Sequence, residues 1–193
     1  MVIPRPVVEY EFKPEGIDQR DDGLTDVELP ILFTSTATHK VMWAVGPTFI
    51  FPTAAQEELG DGKWQVGPTA VLLYQPSHKW TFALFPQQWW SVGGQDDRPD
   101  VSSMKLQYII KYHLPHGWTL KSTPTIQADW KEPKDERWRV PVGLGFSRVF
   151  YVGRLPLTTG LQVFYNVVHP ETRTAPRWTF RYSLGPLYPQ GRH

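Results

Sequence analysis

Between Met104 and Trp130 the chain alternates apolar and polar residues with a period of two, interrupted once by Pro115-His116-Gly117. Met104, Leu106, Tyr108, Ile110, Tyr112 and Leu114 oppose Lys105, Gln107, Ile109, Lys111 and His113. Beyond the interruption, Trp118, Leu120, Ser122, Pro124, Ile126, Ala128 and Trp130 oppose Thr119, Lys121, Thr123, Thr125, Gln127 and Asp129. Successive side chains of a strand point to opposite faces, so this stretch predicts a hairpin with one apolar and one polar face. The alternation runs too long for a helix. Trp closes the apolar face at both ends of its second strand.

The same period recurs along the chain and predicts about ten strands, at 2–12, 25–34, 41–51, 64–74, 80–90, 104–114, 118–130, 138–150, 155–167 and 178–188. The strand at 80–90 is the least regular, because Phe85 and Trp89 join Thr81 and Gln87 on its polar side. Connections alternate in length. Polar or charged loops at 13–24, 52–63, 91–103, 131–137 and 169–177 take turns with short connections. No helix and no domain boundary is expected, so residues 1–193 read as a single β-barrel domain. Val45-Gly46-Pro47-Thr48 recurs as Val66-Gly67-Pro68-Thr69, which reads as repeated strand chemistry.

Composition narrows the classes. The formal net charge of +1 gives no basic footprint for nucleic acid. The absence of Cys removes disulfides, thiolate metal sites and Cys nucleophiles. No apolar run reaches the roughly 18 residues of a membrane helix, but barrel strands alternate and cross a bilayer with low mean hydropathy, here -0.38. Met1-Val2-Ile3-Pro4-Arg5 is not a signal peptide, so an exported protein would be present here in processed or trimmed form.

Alternation alone does not separate a membrane barrel from a soluble, lipocalin-like ligand-binding barrel. Three features favour the membrane. Aromatic pairs bracket the apolar face: Trp64 and Tyr74, Trp80 and Trp90, Trp118 and Trp130, Trp138 and Phe150, Trp178 and Tyr188. At roughly 3.3 Å per residue and a tilt near 45°, such spacings span about 23–28 Å, the height of an outer-membrane apolar band between its aromatic girdles. The long and short connections match extracellular loops and periplasmic turns. The polar face is rich in Thr, Gln, Gly and Ser, whereas a solvated exterior is usually crowded with Lys and Glu. The apolar face carries essentially one charge, Arg148, near a rim where it can snorkel. The expected fold is therefore all-β: an antiparallel up-and-down transmembrane barrel in a bacterial outer membrane, with the lipid bilayer as its partner.

From Val41 onward the chain resembles a family of bacterial outer-membrane proteins associated with meta-pathway phenol degradation and misleadingly also called neuromedin U. The resemblance is carried by Trp43-Ala44-Val45-Gly46-Pro47-Thr48-Phe49-Ile50-Phe51-Pro52-Thr53-Ala54, Gly62-Lys63-Trp64, Gly67-Pro68 and Tyr74-Gln75-Pro76. It continues through Trp90-Ser91-Val92-Gly93-Gly94, Asp97-Arg98-Pro99-Asp100-Val101, Leu114-Pro115-His116-Gly117-Trp118, Asp135-Glu136-Arg137-Trp138 and Tyr165-Asn166-Val167-Val168. It implies a β-barrel transporter of hydrophobic or aromatic compounds, with no catalytic residues to carry over. The family has more chain before the region matching Val2, so the ten strands here would correspond to ten of about twelve.

Charges on the polar face segregate by sign. Glu9, Glu11, Asp26 and Glu28 fall on the first two strands, and Lys105, Arg137, Arg139 and Arg181 on the sixth, eighth and tenth. Closure of the barrel would bring Arg181 toward Glu9, giving either an ion-pair network that satisfies buried charge or a charged constriction for a solute. His39, His78, His113, His116, His169 and His193 share no metal-ligand spacing, and Asp96, Asp97 and Asp100 read first as a solvated loop. His113 and Asp129 fall near opposite strand ends and make no catalytic pair. No nucleophile elbow or phosphate loop is present, so neither an enzyme, a metal nor a cofactor is expected. Two function classes remain beside the lipocalin-like one. One is a passive channel or transporter for small solutes; the other is a structural barrel with a blocked lumen, as a homo-oligomer or within a larger membrane assembly.

Overall fold

The computed structural model describes residues 2–4, 10–15, 19–34, 40–56, 59–153, 155–168 and 177–186, and for 4, 10–15 and 19–22 only the backbone. Thirteen strands appear among these residues, with no α-helix. They are β1 (Val2–Pro4), β2 (Tyr10–Glu15), β3 (Gln19–Leu24), β4 (Val27–Thr34), β5 (Val41–Phe51), β6 (Lys63–Ser77) and β7 (Trp80–Gly94). The remainder are β8 (Ser102–His113), β9 (Trp118–Ser122), β10 (Thr125–Asp129), β11 (Trp138–Val152), β12 (Leu155–Val168) and β13 (Trp178–Pro186).

All but β2 and β3 form one antiparallel sheet in the order β1-β4-β5-β6-β7-β8-β10-β11-β12-β13, with β9 and β10 sharing a place between β8 and β11. That gives ten positions around the wall, and apart from the excursion of β2 and β3 between β1 and β4 the strands follow one another in sequence order. The sheet curls into a barrel, because side chains from strands well separated in this order meet inside it. Among the described residues no ladder joins β1 to β13.

The first predicted strand is corrected. Residues 2–12 do not form one wall strand: Val2–Pro4 pairs with Phe33 to Ile31 of β4. Tyr10–Glu15 instead pairs with Gln19–Leu24, within the stretch expected to be a loop, as a separate two-stranded sheet. Local hairpin closure costs less chain entropy than a distant pairing, and the period of two cannot distinguish the partners. This hairpin stands at the end that carries the longer loops. There the amide of Ala55 donates to the carbonyl of Leu24, and a Cβ on Gly23 would lie 2.9 Å from Leu59, itself buried.

The organising stretch folds as expected, with one break. Its first strand is β8, Pro115–Gly117 forms a 3-10 turn with His116 at φ 59°, and the second strand divides into β9 and β10 at Thr123-Pro124. Pro124 lacks the N–H that a ladder requires and is fully buried. It lines an interior cavity, which corrects its assignment to the apolar outer face.

The two Val-Gly-Pro-Thr segments pair with each other. Gly46 faces Thr69, Pro47 faces Pro68 and Thr48 faces Gly67, a local pseudo-twofold arrangement across β5 and β6. A Cβ at Gly46 would sit 1.9 Å from the Ile31 carbonyl oxygen, and one at Gly67 only 1.7 Å from that of Gln88. Both glycines therefore allow a neighbouring backbone to approach closely.

The faces are inverted relative to a water-soluble core. Trp43, Val45, Leu72, Leu84, Leu120, Leu144, Phe146 and Leu161 are exposed on the outside. Thr48, Gln65, Thr69, Thr81, Gln87, Thr123, Gln162 and Asn166 are buried inside. Apolar side chains coat the barrel and mostly polar ones fill it, with Leu32, Phe85, Trp89 and Phe164 as buried apolar exceptions.

Candidate functional site in the barrel interior

Alternation along β4, β7 and β8 sends Glu28, Gln87, Trp89 and Lys105 inward. Lys105 Nζ lies 3.3 Å from Glu28 Oε2, although β5, β6 and β7 separate their strands in the sheet order. Gln87 Nε2 donates to the other carboxylate oxygen. The Lys105 ammonium also lies 5.1 Å from the ring centroid of Trp89, which has no exposed surface. Charge, hydrogen bonding and cation–π attraction thus converge on one level of the lumen. These contacts tie β4, β7 and β8 together across the interior.

A second cluster lies along β9 to β13. Thr123 Oγ1 donates to Gln162 Oε1 at 2.9 Å, while Arg181 Nη1 donates to the Thr123 carbonyl at 3.3 Å. The Arg181 guanidinium sits 5.0 Å from the Phe164 ring centroid. Arg139 Nη1 donates to Gln127 Oε1 at 3.4 Å. Toward the short-turn end, Lys121 Nζ donates to Ser183 Oγ at 3.4 Å, and Lys121 faces Lys111 across the β8–β9 ladder.

The expected charge network is therefore only partly assembled. Glu28 and Lys105 meet. Asp26 is corrected: it works at the rim, where Oδ1 accepts from the amides of Thr53 and Ala54 and Oδ2 from that of Asp61, each at 3.0 Å. Arg137 also belongs to the rim, donating to the carbonyls of Trp130 and Glu132 and lying over the Trp130 ring. Glu11 pairs with Gly23 in the hairpin and is not a wall residue, while Glu9 lies outside the described residues. The approach of Arg181 to Glu9 falls outside them too.

The bracketing aromatics gather into two belts. At the long-loop end Phe51 meets Trp64, Trp130 meets Trp138 edge-on, and Tyr165 meets Trp178. Trp90 is exposed on the same level, opposite Val66 and Ser102. At the short-turn end Trp80 stacks on Phe82 and contacts Tyr112, Tyr74 stacks on Phe82, and Trp118 meets Phe146. Arg148 lies over Trp118 at 5.3 Å, and Phe150 pairs with Leu157 nearby. Tyr188 lies outside the described residues.

Two features escaped the sequence reading. Phe85 and Trp89 stood out in the sequence as irregularities, not as buried inward rings. Phe164 was missed, although it falls in the polar phase between Gln162 and Asn166. Its signal was Gly143 and Gly145 in the polar phase of the neighbouring strand, which leave room for a large inward ring.

In the loop carrying Asp96 and Asp97, Asp100 accepts from Ser91 Oγ at 3.2 Å and lies 3.8 Å from Lys63 Nζ. Among the described residues no group of three or more His, Cys, Asp or Glu is placed to hold a metal ion. Compared with protein families, curated proteins and solved structures, the chain matches none.

Proposed function

We propose that this chain is an outer-membrane β-barrel that passes small solutes through a narrow polar lumen. One observation carries the reading: Leu144 is 63% exposed and Trp43 54% exposed on the outer face, whereas Thr48 is 0% and Gln65 2% exposed inside. Water would penalise that outer face, while hydrocarbon accepts it and the polar groups stay shielded within. The two aromatic belts support the same placement, since Trp and Tyr favour the interfaces of a bilayer. From Trp64 to Tyr74 the wall rises about 23 Å at the usual rise and tilt of a barrel strand.

A second reading, a structural barrel with a blocked lumen, draws on the fully buried Trp89 and the Glu28–Lys105 pair that spans the interior. Reconstitution into vesicles distinguishes the two. The chain is expected to need detergent, to insert, and to release small solutes. Insertion without flux would favour the blocked barrel. Stable solubility without detergent would overturn both readings and favour a soluble ligand-binding barrel.

A further inference from the structure

We infer that the cavity between β10 and β13 binds a small organic carboxylate; this rests on the barrel reading and names the class of solute its lumen prefers. The cavity has a volume of about 170 Å³ and is lined by Pro124, Thr125, Gln127, Arg139, Pro141, Phe164, Asn166, Thr179 and Arg181. Two guanidinium-bearing side chains line it, with no carboxylate among the described residues of its lining. Among the described residues their hydrogen bonds are long and go to neutral oxygens, Arg139 to Gln127 and Arg181 to the Thr123 carbonyl, and Arg139 Nε is buried without a hydrogen-bond partner. Charge-assisted bonds to an anion are shorter and stronger than these, and the planar fork of Arg matches a carboxylate.

The surroundings raise the potential further. Lys121 lies just beyond, bonded to Ser183 two residues from Arg181, with Lys111 opposite it on β8. On the wall below the rim, Glu28 is the acidic partner among the described residues, and Lys105 already neutralises it. Excess positive charge among the described interior residues, held within low-dielectric walls, concentrates anions. Phe164, Pro124 and Pro141 supply an apolar flank, which suits a carboxylate with a short hydrocarbon tail better than a fully hydrated phosphate. The side-chain amide of Gln127 can orient its oxygens.

The test uses the full chain in detergent micelles, with butyrate, its neutral counterpart butyramide, and inorganic phosphate as probes, and binding read by calorimetry and ligand NMR. Saturable butyrate binding is expected, weakened by salt, with butyramide and phosphate each at least about tenfold weaker, a difference of about 1.4 kcal/mol. Arg181→Gln should lose that preference, and Arg181→Lys should keep part of it. Equal binding of butyrate and butyramide, tighter phosphate binding, or no butyrate binding would overturn the inference. Binding in micelles does not require conduction, so failure here is distinct from failure of the solute-flux measurement. Folding of each variant is monitored by circular dichroism, and the comparison among probes on the unaltered protein decides the matter if a variant does not fold.

Discussion

The Glu28 carboxylate on β4 and the Lys105 ammonium on β8 meet at 3.3 Å across the interior, although they lie 77 residues apart in the chain. Lys105→Met would strand a carboxylate whose side chain is only 12% exposed. The expected cost is about 3 kcal/mol, at the low end for a broken buried pair because Lys105 is itself more than a third exposed. Glu28→Gln combined with Lys105→Met should recover much of that loss. Urea unfolding in lipid vesicles measures both, and strictly additive losses would mean the two groups do not interact.

Gly145 and Gly93 offer a contrast in steric room. A Cβ at Gly145 would meet the Leu161 carbonyl oxygen at 2.1 Å and Gln162 Cγ at 2.5 Å, while at Gly93 it would meet nothing within 4 Å. Gly145→Ala should therefore destabilise by about 1–3 kcal/mol. Gly93→Ala should change stability by less than about 0.5 kcal/mol. Equal effects in denaturant titrations would contradict the packing of β11 against β12.

Asp26 clasps the loop after β5 through three backbone amides. Asp26→Ala removes all three acceptors, so the amides of Thr53, Ala54 and Asp61 should exchange with solvent faster, by a factor of about ten or more for each 1.4 kcal/mol of local stability lost. Exchange of wall amides on β11 should stay unchanged. Unaltered exchange at Thr53 and Ala54 would show that the loop holds without the clasp.

Most of the wall was legible because outward-facing and inward-facing residues differ in polarity along most of the strands from β5 to β13. The ladders Leu106 to Ile126 and Leu144 to Val163 keep the predicted outward residues opposite one another. Three kinds of information were not in the alternation. Residues 10–24 could pair locally or with the wall, and a period of two is silent on the partner. Pro124 broke a strand whose pattern ran straight through it. The charged residues could be assigned to a face but not to a partner: Asp26 reached backbone amides and Arg181 a carbonyl, contacts that depend on curvature.

The central claim is that the exposed apolar face lies in lipid. Ile110 and Lys111 are adjacent on β8 with side chains on opposite faces, and Ile110→Arg should cost about 2–4 kcal/mol near the midplane, whereas Lys111→Arg should be tolerated. The most direct measurement exploits the absence of native Cys. Single replacements Lys105→Cys, Leu106→Cys, Ile110→Cys and Lys111→Cys are labelled with a fluorophore in reconstituted vesicles and exposed to a lipid-confined quencher. Lipid exposure of the apolar face predicts strong quenching at 106 and 110 and weak quenching at 105 and 111. Uniform quenching, or the opposite alternation, would contradict it.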